Sequence, residues 1–301
     1  MASKKKAAPR KRTSTSRSRR TSLGRPARFV RAFVVSSLTA FGAASCALHP
    51  QWSDEFAPDA ILSQLGLPVS DTAPLVAPSG PRVQTKFGAC PQFFPSSRPP
   101  VVPFEYALRE LCFSSFAILH SGEAKTPVFV AQRLNRQTLQ RAESIERKDR
   151  FYAEARLPRA ERAELSDYRG SGYSRGHMAP AADMSTEEAM AQSFSLANMV
   201  PQVQGHNGGA WATVEEDTRR YVMRARGDVY VFTGPVYQGH TVTIGDGRVA
   251  VPSHLYKVVY DATTKRAWVH WQANSAKAQP ARPITYGEFV KRTGLALLPE
   301  N

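Results

Sequence analysis

The residues best equipped for chemistry lie in one stretch, Tyr168-Arg169-Gly170-Ser171-Gly172-Tyr173-Ser174-Arg175-Gly176-His177-Met178-Ala179-Pro180-Ala181-Ala182-Asp183. Three glycines within seven positions let a backbone approach a ligand closely. Arg169 and Arg175 flank them, and each can fork onto phosphate oxygens. His177 follows directly, the side chain whose ordinary pKa lies nearest neutral pH. Close approach, charge stabilisation and a base suit phosphodiester chemistry. The plain alternative is a Gly-rich surface turn ending in a core histidine, and this stretch alone does not separate the two.

A second stretch adds weight. It reads Ser195-Leu196-Ala197-Asn198-Met199-Val200-Pro201-Gln202, then His206-Asn207-Gly208-Gly209-Ala210-Trp211, then Glu215 and Arg219. Trp211 to Arg226 contains no proline and reads as a helix starting near Asn207. Positions 207, 211, 215 and 219 are four apart, and each step drifts only ~40° around a helix. Asn207, Glu215 and Arg219 are then expected on one side, with Trp211 packing beneath them. The competing reading of Glu215 and Arg219 is an ordinary exposed i,i+4 ion pair.

Arg175-Gly176-His177, the Asn198-to-Gln202 run and Asn207-x-x-x-Trp211-x-x-x-Glu215-x-x-x-Arg219 together resemble the DNA/RNA non-specific endonuclease family. That family includes mitochondrial endonuclease G and secreted bacterial nucleases of the ββα-metal (His-Me finger) class. The resemblance runs from about Thr85 to about Pro299 and takes in Val249-Ala250-Val251-Pro252-Ser253-His254 and Thr293-Gly294-Leu295. Two positions depart from the family pattern: Ser174 stands where Asp is usual, and Gly208 where Gln is usual.

The resemblance implies roles. His177 is the general base toward water, and Asn207 binds one hard divalent ion, Mg²⁺ with Mn²⁺ able to substitute, through its amide oxygen. Glu215 orients water on that ion. Arg147, matched through Arg147-x-x-x-Phe151, and Arg219 stabilise transition-state charge, although Arg150 lies close enough to be confused with Arg147. Asn198 supports the water and histidine network, and Arg175 and Arg169 contact substrate. DNA and RNA are both expected substrates, with 5′-phosphate products. Contacts to phosphate and sugar carry no sequence information. Two other readings stay open: a nucleic-acid-binding protein that has lost catalysis, and a narrower phosphodiesterase. His206 is a weaker ligand candidate, because no spaced His/Cys set for zinc exists.

The elements that must position these groups follow from the rest of the chain. Its 301 residues and 42% apolar content allow one sizeable domain plus extensions. The net charge of +15 is uneven. Residues 1–31 hold twelve of the 40 Lys and Arg and no acid, leaving 28 basic against 25 acidic residues beyond them. Nucleic-acid affinity must therefore come from a local patch. Ala32 to Cys46 is uncharged and ends in small residues, so residues 1–48 read as an export signal. Ser18-Arg19-Arg20-Thr21-Ser22-Leu23 resembles a twin-arginine signal, and Ala43-Ala44-Ser45-Cys46 resembles a lipoprotein box with Cys46 as lipid anchor. A mitochondrial transit peptide and a nucleic-acid-binding tail are the rival readings.

Residues 49–84 are rich in Pro and Ser and read as a tether, with 85–301 as the domain. In an exported domain Cys90 and Cys112 pair as a disulfide, and otherwise they are separate buried thiols. Cys112–His120 and Pro127–Ala131 read as strands joined through Gly122. Met184–Phe194 reads as a short helix capped near Ser185. Val229–Gly234, Thr241–Ile244, Arg248–Val251, His254–Tyr260 and Ala267–Trp271 supply further strands. Few connections are long enough for parallel crossovers, so the fold expected is α+β, with a largely antiparallel central sheet and flanking helices.

Overall fold

The computed structural model describes residues 80–105 and 107–299. The expected export signal, Cys46 with its lipid anchor, His49 and the tether up to residue 79 lie outside them. The first half of the described chain runs β1 (Arg82–Gln84), β2 (Val101–Pro103), β3 (Leu108–Cys112), β4 (Ala117–Ser121), β5 (Thr126–Leu134), α1 (Arg136–Ala142), α2 (Leu165–Tyr168), β6 (Tyr173–His177), α3 (Glu187–Ser193), β7 (Met199–Val203) and α4 (Gln204–Asn207). It continues α5 (Ala210–Arg224), β8 (Val229–Val236), β9 (Thr243–Ile244), β10 (Val249–Ala250), β11 (His254–Asp261), β12 (Arg266–Ala273), β13 (Ile284–Thr285) and α6 (Tyr286–Thr293).

Seven strands form one sheet in the order β13-β12-β11-β8-β5-β4-β3, and every neighbouring pair is antiparallel. The fold is α+β. Side chains alternate between the two faces. On one face Phe129, Ala131, Phe232, Tyr256 and Val258 pack with Phe87, Phe94 and Phe289. The other face is divided. Ile118, Val130 and Leu255 join Trp211 and Met178, while Leu134, Val231 and Val259 join Val222. Between those two apolar groups lie Gln132, Thr233 and Lys257, all buried. Helix α5 covers this face, because Trp211, Val214, Thr218 and Val222 recur at three and four residues and are buried.

Cys90 and Cys112 are joined as a disulfide across a sequence separation of 22. It ties the aromatic segment holding Phe87 and Phe94 to the end of β3. No helix among the described residues is long and apolar enough to cross a membrane.

Four local expectations change. Cys112–His120 is two strands, because Phe113–Phe116 is a turn closed by Phe113 N–H donating to Phe116 O (2.9 Å). The short helix is Glu187–Ser193, and Thr186 rather than Ser185 caps it by accepting from Ala189 N–H (3.1 Å). β1 begins at Arg82, inside the stretch read as tether, and pairs with β2. Asn207 does not start the long helix: it ends α4, and α5 begins at Ala210. Gly209 explains the break, since a Cβ there would lie 2.5 Å from Gly205 O.

Candidate active site

The Gly-rich stretch is neither a turn nor a loop at its centre. Tyr173–His177 is strand β6, paired antiparallel with β7 so that Gly176 faces Val200 and His177 faces Met199. Gly176 is there for space. A Cβ would come within 2.0 Å of Gln202 Oε1, and Gln202 is fully buried. Gln202 Nε2 donates to His206 Nδ1 (3.0 Å), and His206 Nε2 donates to Gln272 Oε1 (2.9 Å). Both nitrogens of His206 are therefore occupied, which removes it as a metal ligand and makes it a strut for the hairpin.

Asn198 is also a strut. Its Nδ2 donates to Ala179 O and Ser193 O (both 2.9 Å), and its Oδ1 accepts from Ala179 N–H (2.9 Å). Met178 N–H donates to Asn198 O (3.0 Å). The side chain is fully buried and its polar atoms are committed to backbone. Asn198 thus holds the chain leaving His177 and does not reach water directly.

His177 ends β6 between two aromatic rings, Phe194 edge-on at 5.0 Å and Phe151 at 5.9 Å. Its Nε2 is buried without a partner, while the residue as a whole is half-buried. Nδ1 is thus the nitrogen on the open side. Burial, and then the Arg147 charge, push the His177 pKa down to about 3. The ring is neutral across the physiological range. Arg147 lies 5.5 Å over the Phe194 ring and pairs with Asp149 (2.6 Å). The Arg147–Phe151 arm is held in place where Tyr152 N–H donates to Phe194 O (3.2 Å) and Leu196 N–H to Tyr152 O (2.8 Å). The structure therefore brings the Arg147 charge to bear on His177.

Asn207 is half-buried, and among the described residues its side-chain amide has no hydrogen-bond partner. α4 packs against both β6 and β7 and leads into α5, which carries Glu215 and Arg219. These two do not pair with each other. Arg219 Nη1 donates to Asp183 Oδ1 (3.4 Å), and Asp183 Oδ2 accepts from Gln132 Nε2 (3.4 Å). The indole N–H of Trp211 is oriented toward Glu215 without closing a hydrogen bond. Burial raises the Glu215 pKa to about 7, against the pull of Lys257 and with the help of Asp183. Among the described residues no three His, Cys, Asp or Glu side chains converge to hold a metal.

Asp183 and Lys257 were not singled out as site residues from sequence. Asp183 closes the Gly-rich stretch, which was its one signal. Lys257 sits alone as a charge in an apolar strand, which gives no signal by itself.

Arg147 and Arg219 line one cleft of ≈ 600 Å³ with Ala181, Ala182 and Met190. Arg169 and Arg175 line another, also ≈ 600 Å³, with Tyr173, Ser174 and Gln204. Arg175 stacks over Phe151 at 4.1 Å, whose ring also flanks His177. A larger cleft of ≈ 1010 Å³ beside Phe104 and Tyr237 contains none of the expected site residues.

With this geometry in place, comparison with known proteins is direct. The family model for DNA/RNA non-specific endonuclease matches residues 100–294. Nuclease C1 of Cunninghamella echinulata var. echinulata is 38% identical over 157 residues, covering 48% of this chain and 62% of that protein. Endonuclease G, mitochondrial, of Homo sapiens is 33% identical over 156 residues, covering 48% of this chain and 52% of that protein. A crystal structure of the EndoG/EndoGI complex aligns with TM-score 0.60 at 25% identity, over 72% of this chain and 92% of that one. The chain spans about half the length of the curated relatives it matches. The family match covers well over half of the chain and contains His177, Asn207, Glu215 and Arg219, so the protein belongs to the DNA/RNA non-specific endonuclease family.

Proposed function

We propose that this protein is a divalent-metal-dependent endonuclease that hydrolyses phosphodiester bonds of DNA and RNA without sequence specificity, giving 5′-phosphate products. The observation that carries the reading is the state of His177. It is neutral, oriented by two rings, has an open Nδ1, and lies beside a guanidinium. An imidazole with an open nitrogen can accept a proton from attacking water, and the more readily once a substrate phosphate offsets the Arg147 charge and raises its pKa from about 3. Arg147 supplies positive charge at the same place, and Arg219, fixed by Asp183, supplies a second cation for the charge that builds on the phosphate. Asn198 and Gln202 act through backbone and packing, keeping His177 at the end of β6.

The residues present fit one Mg²⁺. Asn207 offers an unpartnered amide oxygen, and a single neutral ligand suits an ion that keeps most of its waters. What a bound Mg²⁺ supplies is neutralisation of charge on the phosphate and the departing 3′ oxygen. Glu215 is the acid placed to accept hydrogen bonds from water near Asn207. Arg175 and Arg169 would contact flanking phosphates from their own cleft, and such contacts serve DNA and RNA alike.

The test is digestion of plasmid DNA and of RNA in Mg²⁺, with and without chelator. Nicking and degradation that stop with chelator, and ends that need phosphatase before kinase labelling, are expected. Binding without cutting in Mg²⁺ or Mn²⁺ would point to a protein that has lost catalysis. Cutting limited to small diesters would point to the narrower phosphodiesterase.

Localisation draws on two observations. The Cys90–Cys112 disulfide fits an oxidising compartment and an exported chain. The mitochondrial names of several relatives fit the transit-peptide reading of residues 1–48. Intact mass of the mature protein from its native host is the first test. A start at Cys46 carrying the mass of a lipid supports export; an unlipidated start nearby fits removal of either signal, and fractionation of the host then separates them.

A further inference from the structure

Lys257 is the buried group that this mechanism leaves unused. It is 1% exposed, and among the described residues its Nζ makes one hydrogen bond, to Thr233 Oγ1 (2.8 Å). Among the described residues no carboxylate lies within 4 Å of it; burial lowers its pKa, and the charges of Glu215 and Asp183 act to raise it. An ammonium has three donors, and a buried charge with one neutral partner is costly. Packing does not call for it. Lys257 stands in the sheet face between two apolar groups, in register with Thr233 on β8 and His270 on β12. A leucine or methionine would fill that place at lower cost.

What lies over Lys257 gives the reason. Its Nζ is 5.6 Å from the centre of the Trp211 ring, one helical turn before Glu215 on α5. Glu215 is a half-buried carboxylate with no ion pair among the described residues. Asp183 is 6% exposed and holds Arg219. Two acids and two cations thus meet under and along one helix.

We infer that Lys257 is a positioning residue of this site: from beneath α5 it holds the Glu215 carboxylate by Coulomb attraction, and it supports Asp183, which holds Arg219. This rests on the endonuclease reading above. Lys257 touches neither substrate nor Asn207, so it acts only through those two acids. Burial disfavours charge on both acids, Asp183 adds repulsion at Glu215, and the Lys257 charge offsets this at both. The arrangement keeps acid and guanidinium fixed before nucleic acid arrives, as electrostatic preorganisation requires.

The experiment is a double-mutant cycle on the full-length protein. Lys257→Met, Glu215→Gln and the double variant are assayed on a defined duplex in Mg²⁺, with kcat and KM separated and thermal unfolding followed alongside. Lys257→Met is expected to lower kcat at least about tenfold with KM within about twofold, a loss in the range seen for residues coupled in one network. Its melting temperature should hold or rise, as it does when a buried charge gives way to an apolar side chain. In the Glu215→Gln background the same change should cost little more. Losses that multiply, or a Lys257→Met enzyme as fast as wild type, would overturn the inference while leaving the endonuclease reading intact. A wild type inert on nucleic acid in Mg²⁺ and Mn²⁺ would overturn both. Should Lys257→Met fail to fold, Thr233→Val removes the hydroxyl partner of Nζ. It should give a smaller kcat loss that likewise vanishes beside Glu215→Gln, and a loss that persists there sinks the idea.

Discussion

At the scale of single residues, the proposed function divides the chemistry between His177 and Asn207. His177 is sealed at Nε2 and open at Nδ1, and it is kept neutral by burial and by Arg147. His177→Ala should therefore lower kcat by at least ~10²-fold while leaving nucleic-acid binding close to wild type, because base catalysis acts in the transition state. Cleavage of plasmid at near-normal rate by that variant removes His177 from the mechanism. Asn207 is different, since its amide is unpartnered among the described residues and its proposed role is as a ligand. Asn207→Ala should cut activity by several orders of magnitude and raise the Mg²⁺ needed. Asn207→Asp keeps an oxygen at the same reach and should bind metal with altered preference. Glu215→Gln should cost less than Asn207→Ala. Metal titrations of cleavage compare the three, and an unchanged Mg²⁺ requirement in Asn207→Ala places the ion elsewhere.

At the scale of elements, the β6–β7 hairpin and the α4–α5 break do the positioning. Gly176→Ala puts a Cβ into Gln202, which is buried and braced by His206 and Gln272. Destabilisation of ~1–3 kcal/mol is expected, the usual size for overpacking, with activity falling as the end of β6 shifts. Thermal unfolding against wild type checks it, and an unshifted melting temperature would mean that Gln202 yields freely. The same elements mark how much was readable from sequence. The long helix and its Trp211 face were legible because apolar residues recur at helical spacing. The break before it was not, because it depends on Gly209 lying against Gly205 O, and no propensity encodes that approach. Likewise Phe113–Phe116 continued an apolar run, so the turn inside it was invisible until Phe113 and Phe116 were seen to bond each other. Ser185 and Thr186 are adjacent, equally good caps, and only backbone geometry chooses between them.

At the scale of the whole molecule, the antiparallel sheet was legible from short strands and short connections. Its buried polar group of Gln132, Thr233 and Lys257 was not, because each sits alone in an apolar strand; pairing of β5, β8 and β11 sets Lys257 opposite Thr233 and Gln132 two positions along on the same face. The assembled core also fixes how stability must depend on pH. Burial lowers the pKa of His177 to about 3 and of His270 to about 4, and it lowers those of His120 and His206 as well. In the unfolded chain all four titrate near 6.5. Below that pH the unfolded state binds protons that the native state refuses, so stability is full above ~6.5 and declines as pH falls. The decline continues through about 4 for His270 and about 3 for His177. Glu215, Asp183 and Glu105 act in the opposite sense. Their pKa values are raised by burial, so they bind protons in the native state, and their contribution is present at low pH and is lost as pH rises, through about 7 for Glu215. Four histidines, joined by Glu154 and Asp261, whose pKa values are lowered, act against those three acids and leave a net loss on acidification. Urea unfolding in chelator at pH 7, 6 and 5 should show wild-type stability falling at each step, with chelator present so that metal binding does not add its own stabilisation. In His177→Gln with His270→Gln the fall should be shallower, because two of the four groups no longer titrate. If the double variant loses stability with pH as steeply as wild type, the buried histidines are not what makes this fold acid-sensitive.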